Sequence, residues 1–355
     1  MKILITNGRL AKRTGTEMYV YELAIELLAR GHEPVVYSPA VGPLGELLRG
    51  KTVPVVQQVN RLAVTPDVIH GHHFEPLLCA SLRYPRTPAI FCCHSWNSHQ
   101  DRPPRLPSIQ TYVAVDEACR DRLVYEFGVP EYCTQIVHNF VNLQRFHPRD
   151  DLPVRPSRAL LFTNRTTIGR FPRALAAGCR DHGIQLDLLR AIAGKNCLEP
   201  EKVLPKYDVV FARGKAAIEA MAVGNAVILG DRRGLGPLVT SENFQRLRNL
   251  NFGRRAFNRP MRTAEVSRQL ANYSAADAST VSRQIREQSP IDLIVDRWLE
   301  LYAGAIESFT SPAPAAMEAT MRAAAEHLEQ LHPSLARGRR MEKWRAVFAK
   351  LVGLR

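Results

Sequence analysis

Two α/β domains, each a parallel sheet wound with helices on both faces and facing its neighbour across a cleft, are what this sequence predicts. Three observations carry the prediction. Residues 2–38 read as strand, glycine turn, amphipathic helix and strand, and residues 207–231 repeat that order. Short apolar runs rich in β-branched residues alternate with helical patterns between these two stretches, the mark of parallel strands covered on both sides. A charged, proline-bearing segment, residues 149–157, separates the two series and reads as a linker. No complete G-x-G-x-x-G follows either opening strand, so dinucleotide binding is not indicated.

Composition narrows the class. A chain of 355 residues with 45% hydrophobic and 23% charged residues has ample core material for two or three domains. No apolar run approaches the roughly 18 residues that mark a membrane span. The start Met1-Lys2-Ile3-Leu4-Ile5 is too short for a signal h-region, so a cytoplasmic location is expected. Seven cysteines, an odd number without a Cys-x-x-Cys pair, point to reduced thiols. The net charge of +14 favours anionic partners: nucleotide diphosphates, acidic lipid headgroups or nucleic acid.

In the first half, the strand through Thr6 leaves at Asn7-Gly8-Arg9, and Gly15-Thr16-Glu17 opens a helix with Tyr19, Leu23, Ile25 and Leu28 among its apolar positions. Strands at residues 67–74, 89–96, 112–115 and 134–137 follow, with a helix from Asp116 to about Phe127. Two of these strands end in histidines or cysteines: His70, His72 and His73, then Cys92, Cys93 and His94. A shared metal is a tempting reading. Adjacent strand residues alternate faces, however, so Cys92 with Cys93, or His72 with His73, cannot readily serve one ion. The spacings are also not those of a zinc site, and no metal is expected.

In the second half, residues 158–163 form a strand leading into Asn164-Arg165-Thr166-Thr167-Ile168-Gly169-Arg170. A helix over 173–182, a strand over 184–189 and a short helix over 199–206 come next. The central unit is the strand at 208–211, the break at Gly214, a helix from Lys215 to Met221, the stop at Gly224 and the strand at 226–229. Its helix contains one acid, Glu219, which is either a solvated helix residue or a ligand contact at the crevice. Asp231 to Thr240, with Gly234 and Gly236, reads as a glycine turn opening another helix. Arg246, Arg248, Arg254, Arg255 and Arg259 interleave with Phe244 and Phe252, a composition that can hold nucleic acid; no nucleic-acid motif accompanies it, and none is expected to bind. Ser289-Pro290-Ile291-Asp292 reads as a helix start with Ser289 as cap and Pro290 at the first position, and Ile294, Trp298, Leu301 and Ala305 mark one face.

Ser311-Pro312-Ala313-Pro314 is a hinge, and Met317, Met321, Ala324, Leu328 and Leu331 keep helical spacing after it. Residues 335–355 hold seven basic residues beginning with Arg337 against Glu342, with Met341, Trp344, Phe348 and Leu351 on one helical face. Such a helix fits in-plane adsorption to an anionic membrane, or docking on a protein surface.

The text GKAAIEAMAVGNAVIL, residues 214–229, resembles the EAMA-x-G-x-P-V-I signature of retaining glycosyltransferases of the GT-B fold, the family-four group. Gly15-Thr16-Glu17 with Arg30-Gly31-His32-Glu33-Pro34-Val35-Val36 looks like that family's GG-x-E…GH-x-V opening, with Thr16 for the second glycine. His138-Asn139-Phe140-Val141-Asn142 through Phe146-His147-Pro148 is similar to its I-x-N-G-V-D…F-x-P segment. The resemblance covers residues 2–306. It implies a sugar moved from a nucleotide diphosphate to an acceptor hydroxyl with retained anomeric configuration, and no metal cofactor.

Residue by residue, the resemblance implies that Arg165 and Arg170 grip the diphosphate, Arg170 replacing a lysine. Glu219 contacts the ribose, and His94 lies near the transferring sugar, where it could accept a proton or donate a hydrogen bond. The resemblance also implies that Gly15, Thr16, Gly214, Lys215, Gly236 and Leu238 line the nucleotide-sugar site, with a solvated side chain the alternative for Lys215. The family's first glutamate, eight positions before Glu219, is absent: Phe211 stands there, or a deletion does. The expected layout is an acceptor domain over 1–150, a donor domain over 151–288, a crossover helix over 289–310 and a basic helical tail over 311–355. A nucleotide-sugar epimerase of the same fold and a non-catalytic binder of anionic surfaces are the competing functions. The acceptor, whether glycan, lipid or protein, is not named by the sequence.

Overall fold

The computed structural model describes residues 1–163, 170–189, 199–310, 313, 317–318, 321–322 and 324. Arg165 and the basic segment 335–355 lie outside the described residues, as does the side chain of Arg170.

Strands β1 (Lys2–Thr6), β2 (Glu33–Tyr37), β3 (Val55–Val56), β4 (Val68–His72), β5 (Ala89–Cys93), β6 (Ile109–Ala114) and β7 (Thr134–Ile136) form the first sheet, in the order β3-β2-β1-β4-β5-β6-β7. Every pairing in it is parallel. Strands β8 (Arg158–Leu161), β9 (Gln185–Leu188), β10 (Val209–Ala212), β11 (Ala226–Asp231) and β12 (Gly234–Leu238) form the second, in the order β12-β11-β10-β8-β9. Strand order reverses between β1 and β4 in one sheet and between β8 and β10 in the other. At such switch points the helices leave to opposite faces and a crevice opens beyond the strand ends.

Helices α1 (Gly15–Ala29), α2 (Pro43–Gly50), α3 (Phe74–Arg83) and α4 (Glu117–Asp121) belong to the first lobe. The chain after α4 widens into a π-helical turn, Arg122–Glu126. The second lobe carries α5 (Arg170–Arg180), α6 (Pro200–Val203), α7 (Lys215–Val223), α8 (Phe244–Asn249), α9 (Thr263–Ala271) and α10 (Ala275–Gln288). The buried face of α1 is Tyr19, Val20, Leu23, Ala24 and Leu27; Ile25 and Leu28, assigned to it from spacing, are only partly covered.

Helix α11 (Ile291–Ser308) returns to the first lobe and buries Trp298, Tyr302 and Ala305 in its core. Its start differs from the sequence reading. Pro290 is the extended cap residue, not the first helical position, because this backbone is held by the other crossing strand. The Val141 N–H donates to the Ser289 carbonyl at 2.8 Å, and the Ile291 N–H donates to the Val141 carbonyl at 3.1 Å. The Ser289 hydroxyl caps nothing and is buried.

The largest correction falls on residues 231–240. Gly234–Leu238 is an edge strand antiparallel to β11, and the next helix starts only at Phe244. The Asp231 carboxylate accepts from the Arg233 N–H at 2.8 Å, making a side-chain-closed turn that folds the chain back. Leu235 and Leu238 are then buried against the sheet, and the ladder to β11 uses backbone groups that a phosphate loop would leave open.

Phe244 and Phe252 are also inside, in tilted contact at 5.7 Å, and Arg248 is buried with its guanidinium donating to the Asn139 carbonyl at 3.1 Å. Neither Phe244 nor Phe252 is therefore exposed for stacking. The six described cysteines are free thiols. Among the described residues, no helix is long and apolar enough to cross a membrane.

Candidate functional site in the interlobe cleft

A cavity of about 550 Å³ opens where the two switch points face each other. The first lobe supplies Arg13, Thr14, Gly15 and Met18, and the connecting segment supplies Arg145. The second lobe supplies the ends of β8 (Phe162, Thr163) and β10 (Arg213), the face of α7 (Lys215, Ala216, Glu219) and the end of β11 (Gly230, Asp231, Arg232).

The first-lobe wall is built around Glu17. Its carboxylate accepts from the backbone N–H groups of Ala11, Lys12 and Thr14, each at 3.1 Å, and from the Thr14 hydroxyl at 2.7 Å. A loop that would otherwise wander is thereby wrapped on one buried acid, and Arg13 to Gly15 are presented to the cleft. The signal was in the sequence: Thr14-Gly15-Thr16-Glu17 has the spacing of a capping box. A Cβ on Gly15 would meet nothing within 4 Å, and Thr16 is not among the lining residues.

The second-lobe wall depends on Gly214. With φ +53° and ψ −134° it turns β10 into α7, a conformation that side chains rarely adopt. Its N–H donates to the Phe252 carbonyl at 2.9 Å. Helix α7 then runs away from the cleft with nearly all of its residues buried and stops at Gly224, φ +104°. Phe211, eight positions before Glu219, is 1% exposed, at the cavity wall.

Lys215 is neither solvated nor pointing into open space. Its ammonium lies 2.7 Å from a Glu22 carboxylate oxygen, 3.7 Å from Glu219, and donates to the Phe140 carbonyl at 3.0 Å. It also stands 4.6 Å above the Phe140 ring. Arg145 bridges Glu22 and Glu201, at 2.7 Å to each. Burial pushes the Glu219 carboxyl up to about 7, against the pull of Lys215 and with a further push from Glu22. Arg213 pairs with Asp231 at 3.0 Å. Among the lining cations, Lys215, Arg145 and Arg213 are paired with acids, and Arg13 and Arg232 add positive charge to the wall.

Glu22, Arg145 and Arg13 were not singled out from sequence. Glu22 could have been: an acid flanked by Tyr19, Val20, Leu23 and Ala24 sits on the apolar face of its helix. Gly236 and Leu238 do not line the cavity. A Cβ on Gly236 would lie 2.9 Å from the Leu229 Cβ and 3.1 Å from the Ala256 carbonyl, and the Leu238 N–H donates to the Gln269 side chain at 2.8 Å.

The histidines form a separate cluster at the ends of β4 and β5, outside the cavity lining, with His70 and His72 buried and His94 partly exposed. His72 Nδ1 and His94 Nε2 share a hydrogen bond at 2.7 Å, and His70 Nδ1 bonds the Tyr302 hydroxyl at 2.6 Å. Burial, more than mutual repulsion, lowers His70 and His94 to about 3. This setting favours the neutral imidazole of His94, so it suits hydrogen bonding better than proton uptake.

His73, at φ +65°, turns to the other face and accepts from the Gly8 N–H at 3.1 Å. Ligand atoms of His70, His72 and Cys92 lie within 4.8 Å of one another. The two imidazole rings are stacked, with centroids 4.4 Å apart at 28°. The Nε2 atoms of both rings are buried and have no hydrogen-bond partner.

Residues 13–145 match the family model described as Glycosyltransferase Family 4. No protein among the curated ones matches the sequence. The fold is that of solved GT-B glycosyltransferases. A glycosyltransferase from Rickettsia africae superposes with a TM-score of 0.61 at 14% identity, over 86% of this chain and 99% of that one. Anabaena Alr3699/HepE in complex with UDP gives 0.63 at 14% identity, over 86% and 100%. A putative UDP-N-acetylglucosamine 2-epimerase from Listeria monocytogenes gives 0.55 at 13% identity, over 88% and 98%.

Proposed function

We propose that this chain, a GT-B protein carrying the Glycosyltransferase Family 4 match, transfers a hexosyl or related group from a nucleoside diphosphate sugar to an acceptor hydroxyl with retention. The observation that carries the reading is the position of Glu219. The acid of the EAMA motif is buried in the wall of a cationic interlobe cavity, aimed at the space between two switch points. In this reading an ionised Glu219 accepts hydrogen bonds from ribose hydroxyls. Arg165 and Arg170 hold the diphosphate, with the lining cations of the cleft adding to the field. The reaction expels a diphosphate anion, so fixed cations supply the main stabilisation and no metal ion is required.

The Anabaena structures with UDP and with UDP-glucose support a nucleotide-sugar ligand for this kind of cleft. The Listeria protein keeps epimerisation as the second reading. Residues 335–355 hold the protein at an anionic membrane surface on the cytoplasmic side, where a glycan or lipid acceptor would be met.

Calorimetric titration with UDP, GDP and ADP tests the site. Submillimolar binding of one of them is expected, weakened at least tenfold in Arg165→Ala; absence of binding by all three refutes the reading. Proton magnetic resonance of the matching nucleotide sugar then separates the reactions. Conversion of the sugar in the absence of any acceptor would establish the epimerase.

A further inference from the structure

Glu22 is an unusual acid. It is 2% exposed, it belongs to the first lobe, and both of its cationic partners come from beyond that lobe's sheet: Lys215 from α7 and Arg145 from the connecting segment. An uncompensated carboxylate so deep would cost several kcal/mol, so the pairings are structurally required. They also concern a third residue. The groups facing Glu219 are Lys215 on its own helix, Glu22 on α1, Arg145 from the connecting segment and Glu201 on α6. Three acids thus share two cations. Lys215 leans toward Glu22, at 2.7 Å, and away from Glu219, at 3.7 Å.

We propose that Glu22 is the positioning residue of the cleft: by drawing Lys215 and Arg145 across the interlobe gap it fixes the approach of α7 to α1 and withholds a full counter-ion from Glu219. The α7 acid is thereby left with unsatisfied capacity to accept hydrogen bonds from a polyhydroxylated ligand. A Glu219 tightly paired with Lys215 would offer less. The proposed use of that capacity rests on the nucleotide-sugar reading; the charge relay itself does not.

Two measurements keep these apart. The first needs no ligand: the ¹³C resonance of the Glu219 carboxyl, assigned by its loss in Glu219→Gln, is followed from pH 5 to 9. In Glu22→Gln, Lys215 is freed to pair with Glu219, and the titration moves to lower pH by about one unit or more. In Lys215→Gln it moves to higher pH. These opposite signs are a signature that general loosening of the fold would not produce. Should Glu22→Gln fail to fold, Glu22→Asp keeps the charge but shortens the reach, and a shift to lower pH is again expected. An unmoved titration, or shifts of the same sign in Glu22 and Lys215 variants, overturns the proposal.

The second measurement is UDP affinity at pH 6 and pH 8. Wild type is expected to bind more weakly at pH 6, and Glu22→Gln to lose most of that difference. If the wild-type chain binds no UDP, the functional reading fails while the carboxyl titration still decides the role of Glu22.

Discussion

The Trp298 indole N–H donates to the Tyr19 hydroxyl at 2.6 Å, joining the returning helix α11 to the first helix of the chain across 279 positions. Both side chains are fully buried, and the same region packs Tyr302 against His70. Trp298→Phe is expected to lower stability by about 2 kcal/mol, since it removes the donor and leaves a buried hydroxyl short of a partner. Urea denaturation followed by circular dichroism measures it. A change within a few tenths of a kcal/mol would mean that this contact does not anchor the helix.

Glu219 makes stability depend on pH. Its carboxyl is raised to about 7 in the folded chain, above the ordinary glutamate range of roughly 4.3, so the native state holds the proton more tightly than the unfolded state does. Stability from this group is therefore greatest below the unfolded value and falls as pH rises between about 4.3 and about 7. The full effect is on the order of 3 kcal/mol. Glu219→Gln should flatten this slope, raising the melting temperature relative to wild type at pH 8 but not at pH 4.5. Parallel melting curves for the two proteins across that range would contradict the assignment.

Gly236 separates an edge strand from a phosphate loop. Alanine there would press on the Leu229 side chain and the Ala256 carbonyl, and a loss of about 1–3 kcal/mol is expected. Nucleotide affinity of the folded variant should be unchanged, because Gly236 does not line the cavity. Loss of affinity without loss of stability would restore the loop reading.

Arg232 stands at the cavity mouth on the turn between β11 and β12, exposed to solvent. Arg232→Ala should weaken binding of a nucleoside diphosphate about threefold to tenfold at low salt, with little difference in molar salt, as expected for a screened surface cation. Affinities that match wild type at every ionic strength would remove Arg232 from the ligand's field.

Deleting residues 335–355 tests the proposed membrane contact. Cosedimentation with phosphatidylserine vesicles should disappear while nucleotide binding persists. Binding to the vesicles that survives the deletion would place the contact elsewhere.

What the sequence determined by itself is local. Period-two and period-3.6 apolar patterns, punctuated by Gly31, Gly214 and Gly224, marked the alternating strands and helices of both lobes, because backbone conformation and burial on one face are settled over a few neighbouring residues. The EAMA text located Glu219 for the same reason. The tertiary structure decided whatever needed a partner far along the chain. Glycines that read as a loop at 234 and 236 became a strand once β11 offered its edge to pair with. Lys215 became a buried ion-pair partner only because Glu22, 193 positions earlier, arrives beside it when the lobes close. Charge interactions act through space and carry no periodicity, so a single chain read in order shows the charges and not their meeting.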